Sequence, residues 1–149
     1  VSEEAAASAI VGIIDAVGRS VLVLRRFETD REFPGQWCFP GGQARPGESA
    51  DETAVREARE ETGLTVQQLE SMGRRESVGA TGLRYQIECF LTESWTGSLH
   101  AFPTTEHAAA AWVPFDAIIG LAPAGSTTRW LALTIWSRFA SRRGSARID

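Results

Sequence analysis

Lysine is absent from the 149-residue chain, whose 15 basic residues are all arginine. That excludes Schiff-base chemistry and the phosphate-loop lysine of the common nucleoside triphosphatase motif. It leaves the planar guanidinium fork as the means of gripping phosphate or carboxylate oxygens. Long hydrophobic runs are missing as well. Stretches such as Ala9 to Ile14 and Val21 to Leu24 fall far short of the roughly 20 residues that span a bilayer, so no membrane partner is expected. The first eight residues carry Glu3 and Glu4 and no basic stretch ahead of an apolar core, so they do not read as a secretory leader and a cytoplasmic location is expected. Cysteine is scarce: Cys38 and Cys89, both in apolar strand-like settings, read as reduced thiols rather than a disulfide. There is no basic excess either. With a net charge of −4 the chain is a poor candidate for holding long nucleic acid by bulk electrostatics.

What remains is the composition of a folded domain, 43% hydrophobic and 23% charged, with no internal repeat. A single domain over 1–149 is expected, with flexible termini at 1–8 and 141–149. Residues 9–17 and 20–26 read as a strand hairpin about Gly18-Arg19, followed by a polar loop at 27–35. Gln36 to Phe39 reads as a short strand stopped by Pro40-Gly41-Gly42. Ser49 with Glu52 three residues on forms a capping box for a helix over 50–62, and Gly63 stands where a left-handed residue closes it. Strands are expected at 65–69, 74–78 and 83–92, broken at Gly73 and Gly79 to Gly82, with Trp95-Thr96-Gly97 ending the last. A loop over 98–108 and a strand over 109–113 follow. Pro114 is then placed to start a short helix at 115–119, and Ser126 to cap a final helix at 127–140. That order implies an α/β (α+β) layout, a mixed sheet sandwiched by helices.

The chemistry concentrates between Gly42 and Leu64. Glu57, Glu60 and Glu61 sit at helical offsets of zero, three and four, on one face of the helix. Like charges on one face repel, and toward the carboxyl half of a helix the dipole disfavours them further. Something positive is needed among them. Oxygen-only clusters suit a hard divalent cation, Mg²⁺ with Mn²⁺ as a substitute, rather than zinc. Gly41 and Gly42 let backbone approach a ligand and expose a carbonyl to a metal. Glu48 can fold back toward the carboxylate face, and Arg56 can pair with it. For the helix alone, a merely solvated glutamate-rich face is an equal alternative.

The spacing of Gly42, Glu48, Arg56-Glu57-Ala58, Glu60-Glu61 and Gly63-Leu64 resembles the Nudix box at every specified position. Trp37 to Gly42, Val11 to Ile14, Val21 to Arg26 and Trp95 to Pro114 are similar to flanking parts of the MutT-like branch of the Nudix hydrolase superfamily. The resemblance implies a Nudix-type α/β/α sandwich and hydrolysis of a phosphoanhydride in a nucleoside diphosphate derivative. A nucleoside triphosphate cleaved to monophosphate and pyrophosphate leads. ADP-ribose, nucleotide sugars or dinucleoside polyphosphates follow, and a nucleotide-sensing binding module is the non-enzyme alternative. No extra amino-terminal dimerisation domain is seen, which favours the smaller substrate.

Carried over by this likeness, Glu57, Glu60 and Glu61 with the Gly41 carbonyl and Glu106 bind metal. Glu57 or Glu106 is the base or water orienter, and Arg56 and Glu48 belong to the catalytic set. Strand alternation puts only one of Arg25 and Arg26 on the substrate side, and the MutT-like pattern favours Arg26. Arg45 departs from the glutamate often found there and is a candidate phosphate contact, beside Gly42. Trp37, Tyr85, Phe90, Trp95 and Phe102 are either stacking walls or core; Trp37 and Tyr85 are taken as substrate-binding. The stretch Pro123 to Ser126 lacks the asparagine that helps that branch read oxidised guanine, which weighs against that specificity. His100 and His107 read as loop residues. The expected partner is a small nucleotide, with the chain a monomer or homodimer.

Overall fold

Strand β1 (Ala6–Asp15) is apolar on both faces, and the rest of the fold assembles around it. The computed structural model describes residues 5–140. After β1 come β2 (Ser20–Arg26), β3 (Trp37–Cys38), β4 (Gly41–Gln43), α1 (Ala50–Thr62), β5 (Leu64–Gln67), β6 (Glu70–Val78), β7 (Arg84–Thr92), β8 (Ser94–Gly97), β9 (His107–Pro114) and α2 (Ser126–Ile135). One edge of β1 runs parallel to β7 from Ala6 opposite Tyr85 to Ile13 opposite Thr92. Its other edge is divided: antiparallel to β4 at Ser8 to Ile10, then to β2 at Ile14 and Asp15. With β3 and β9 on β2 and β6 on β7, the result is a mixed seven-stranded sheet, and β5 and β8 form a separate pair.

Alternation along β1 sends Ala9, Val11 and Ile13 to a core shared with Ala54 and Ala58 of α1, Leu64, Val66 and Phe90. Ile14, with Val21 and Val23 of β2, joins Leu131 and Ile135 of α2 on the opposite face. The expected three-layer sandwich is therefore present. Phe90 is buried and Trp95 packs against the α1-side core, stacked on Trp112 at 5.4 Å, so both are core rather than stacking walls. No helix of the described residues is long and apolar enough to cross a membrane.

The helix α1 forms as expected. The Ser49 hydroxyl accepts from Glu52 N, the Glu52 carboxylate accepts from Ser49 N, and Gly63 closes the end at φ 86°. Several boundaries differ. β1 starts at Ala6, so the expected flexible segment 1–8 is already strand in its last three residues; residues 1–4 and 141–149 lie outside the described residues. β3 ends before Pro40 as expected, but Gly41 and Gly42 then make β4, because they close on β1. β6 passes through Gly73 on a bulge, which absorbs the φ of 108° without breaking the ladder. β9 begins at His107, two residues early, and Pro114 ends that strand; a 3₁₀ turn at Ile118–Gly120 follows in place of a helix over 115–119. Ser126 is the first helical residue of α2, with Gly125 in the capping position, and the helix widens to a π-helical turn at Trp136–Ala140.

The cap geometry sets two expected stabilities. Ser49→Ala should lower unfolding free energy by about 1 kcal/mol in denaturant titration, with the slope unchanged. Gly63→Ala should lower it by more than that (~1 kcal/mol or above), since it strains a left-handed residue and its methyl would meet Ser98 O at 2.6 Å.

Candidate active site

The close fit of β4 to its neighbours creates the site. A side chain on Gly41 would strike the Ala9 carbonyl and Ile10 of β1, and one on Gly42 would strike the Glu57 carboxylate of α1. With hydrogen there instead, the Gly41 N–H reaches Glu61 and donates to its Oε1 at 3.0 Å. Glu61 is only 6% exposed. Burial, with Glu57 and Glu106 nearby, pushes its carboxyl well above the usual range despite the Gly41 N–H and Arg26. Burial also pushes Glu57 up, against the pull of Arg56.

Arg56 braces the cluster from behind. Its Nε donates to Glu48 Oε2 at 2.7 Å, and its Nη2 donates to Glu48 Oε1 and to the Gln43 carbonyl, each at 3.0 Å. Its Nη1 donates to Glu57 Oε1 and, at 3.1 Å, to Glu60 Oε1. One guanidinium thus joins α1, the residue before its cap, and β4. The fork of Arg56 holds Glu48 down at about 2. Neither Arg56 nor Glu48 lines the cleft; Arg56 reaches Glu57 from behind and is itself held by Glu48.

The cleft measures about 540 Å³ and is lined by Gly41, Gly42, Glu57, Glu61, Glu106, Arg26, Trp37 and Tyr85 among the expected residues. Glu60 and Arg45 do not line it; Glu60 turns outward and pairs with Arg45 at 3.3 Å. Arg26 enters as alternation requires, while Arg25 stays outside, its Nε on the Gly35 carbonyl and its guanidinium over Trp37. Phe102 is likewise outside the lining.

Other residues were not signalled by local pattern. Asp30 accepts from Arg26 Nη1 at 3.0 Å and from the Glu32 and Phe33 N–H groups, so the 27–35 loop aims the arginine, whose Cζ lies 5.4 Å from the Phe33 ring centroid. Glu32 ties the same loop to the β6–β7 turn: its Oε2 accepts from Tyr85 OH at 2.7 Å and its Oε1 from Thr81 N and Oγ1. Phe33 and Tyr85 meet at 5.5 Å, forming an aromatic wall. Burial and the Glu32 carboxylate together push the Tyr85 phenol up to about 12, so it stays a donor. His107 is the largest correction. It is a strand residue, 1% exposed, and burial holds its imidazole neutral with a pKa of about 4. A ligating atom of each of Glu61, Glu106 and His107 lies within 4.8 Å of the others. Its neighbour Cys38 is a free thiol pushed up to about 12 by burial, and Cys89 is free too.

These groups fit a divalent cation. Buried carboxylates crowded together, one of them met by a backbone N–H, the neighbouring Glu57 carboxyl and the Arg26 guanidinium, carry negative charge that a small cation would neutralise. Glu61→Gln separates that effect. Ionising a carboxyl whose folded value is raised works against folding, so the parent should gain stability as pH falls through that raised value toward the ordinary ~4.3. In EDTA at pH 8 Glu61→Gln should melt higher than the parent, and the gap should shrink as pH drops toward 5. The loss tied to Glu48 falls at lower pH, between the ordinary range and about 2, and is common to both proteins. Melting temperatures across pH check this; equal melting at pH 8 contradicts it.

Residues 4–131 match the NUDIX domain family. "Nudix hydrolase 3" of Caenorhabditis elegans is 40% identical over 74 residues, 49% of this chain and 31% of its own length. "CTP pyrophosphohydrolase" of Escherichia coli K12 is 33% identical over 119 residues, 77% of this chain and 82% of that protein. The MutT protein from Methanosarcina mazei Go1 superposes with a TM-score of 0.76 at 26% identity, covering 96% of this chain and 99% of that one. The chain spans under a third of the length of several curated relatives that it matches.

Proposed function

Because the chain belongs to the NUDIX domain family, we propose that it hydrolyses a phosphoanhydride bond in a nucleoside diphosphate derivative, with a nucleoside triphosphate as substrate and the monophosphate and pyrophosphate as products. The observation that carries this reading is one cleft lined by Glu57, Glu61 and Glu106, by Arg26 and by the aromatic side chains Phe33, Trp37 and Tyr85. Its volume suits a small molecule rather than a polymer. The relative named CTP pyrophosphohydrolase, matched over most of both chains, supports the nucleoside triphosphate.

Each group has a physical task. Arg26, held by Asp30, presents N–H donors to phosphate oxygens. Trp37 and Tyr85 offer faces on which a base stacks. Glu57, Glu61 and Glu106, with the Gly41 carbonyl, would hold Mg²⁺, for which Mn²⁺ can substitute. When bound, such an ion neutralises charge on the phosphate oxygens and lowers the barrier to attack by water. Glu57 is held by Arg56, and Glu106 is exposed at the cleft wall; both carboxylates are placed to accept a proton from the attacking water or to orient it. Glu60 and Arg45 pair at the rim, where they can contact a distal phosphate only by exchanging partners. A pure binding module has little need for this crowding, which favours hydrolysis.

A hydrolysis screen over nucleoside triphosphates, nucleotide sugars, ADP-ribose and dinucleoside polyphosphates, with product masses identified, tests the reading. Turnover of a triphosphate to monophosphate and pyrophosphate, abolished by EDTA and restored by Mg²⁺, is expected; indifference to chelator contradicts it. Glu57→Gln should cut kcat by about two orders of magnitude. Arg26→Ala should raise KM about tenfold or more while changing kcat less, as loss of binding shared by ground and transition states does.

A further inference from the structure

We propose that His107 is a nitrogen ligand in the cation site with Glu61 and Glu106, which makes that position favour Mn²⁺, Co²⁺ or Zn²⁺ over Mg²⁺. The proposal rests on the reading of the cleft as a metal-dependent site and adds the identity of one ligand and its consequence for metal choice.

Four observations bear on it. The His107 ring is all but fully buried, and its Nδ1 is out of contact with solvent and has no hydrogen-bond partner. A buried ring nitrogen left unpaired is costly unless something occupies it. Its Nε2 has only the Cys38 sulfur at 4.0 Å, a weak contact. One ring nitrogen lies within 4.8 Å of a carboxylate oxygen of both Glu61 and Glu106.

The backbone is built to hold this pair. Thr104 Oγ1 accepts from the Glu106 and His107 N–H groups, and Thr104 N donates to the His107 carbonyl at 2.9 Å. Successive residues in a regular strand would point to opposite faces. Here Glu106 stands in the turn before β9, and the β2–β9 ladder carries an irregularity where Arg26 meets His107. Such bulges re-aim side chains beside active sites. The carboxylate and the imidazole therefore converge on Glu61.

The consequence follows from ligand chemistry. Mg²⁺ prefers an all-oxygen octahedron and gains little from imidazole, whereas Mn²⁺, Co²⁺ and Zn²⁺ accept nitrogen with affinities that rise along that series. Arg26 and Asp30 are the other charged groups near His107, and they are already paired with each other.

The test needs no substrate. Mn²⁺ bound to the full chain, examined by pulsed electron paramagnetic resonance, should show modulation from an imidazole nitrogen. That modulation should shift when the protein is labelled with ¹⁵N-histidine. It should persist in His100→Gln, which removes the other histidine, and vanish in His107→Gln. By calorimetry, His107→Gln should weaken Co²⁺ and Zn²⁺ binding by about tenfold or more while leaving Mg²⁺ within about threefold. The labelling arm uses the parent chain and so holds even if the variant folds poorly. Tight Mn²⁺ binding without imidazole modulation overturns this proposal and leaves the hydrolase reading intact; failure of the parent to bind any divalent cation overturns both.

Discussion

Two carboxylates tucked against the sheet set the terms for everything around them. Glu57 and Glu61 lie where water screens them poorly, and the protein answers them unequally: Glu57 has a guanidinium, Glu61 chiefly a peptide N–H. That contact exists only because β4 carries glycine at 41 and 42, and β4 can lie there only because it shares an edge of β1 with β2. The helix must end where it does for the carboxylates to meet β4, and both of its ends are fixed by local chemistry, a reciprocal cap at Ser49 and a left-handed glycine at 63. A family fold is thus specified here by the requirement to hold negative charge in place.

Arginine alone carries the cationic work, and the geometry shows why lysine would not serve at position 56. The planar fork reaches Glu48 through two nitrogens and still supplies donors to Glu57, Glu60 and the Gln43 carbonyl. An ammonium is a point charge with three rotatable donors and could not span two elements and a loop in one rigid plane. At Arg26 the same rigidity lets a loop carboxylate, Asp30, aim the group into the cleft.

Helix α1 was legible in the sequence to the residue because its determinants are local: a capping box, a closing glycine and charges spaced by three and four. The three-layer architecture followed from the order of elements. Glu60 and Glu61 flank Glu57 on the helical wheel by about 60° to one side and 40° to the other; the second direction points under the sheet, and Glu60 pairs with Arg45 and Arg56. Glu32 and His107 carry no local signal. Their roles are set by partners far along the chain: Tyr85 and Thr81 for Glu32, and Glu61 for His107. The apolar run that signals β9 starts two residues after His107, and polar strand residues give no alternation signal until their pairing is known.

The parallel pairing of β1 with β7 also governs the order in which the molecule can be assembled. Ala6 finds its neighbour in Tyr85, so the centre of the sheet waits until most of the domain has been synthesised, and closure of that large loop precedes any reward from it. The acidic helix is complete as a stretch of chain well before its roof is. Glu106 and His107, in the turn before β9 and at its start, reach the acidic helix only through the pairing of β9 with β2.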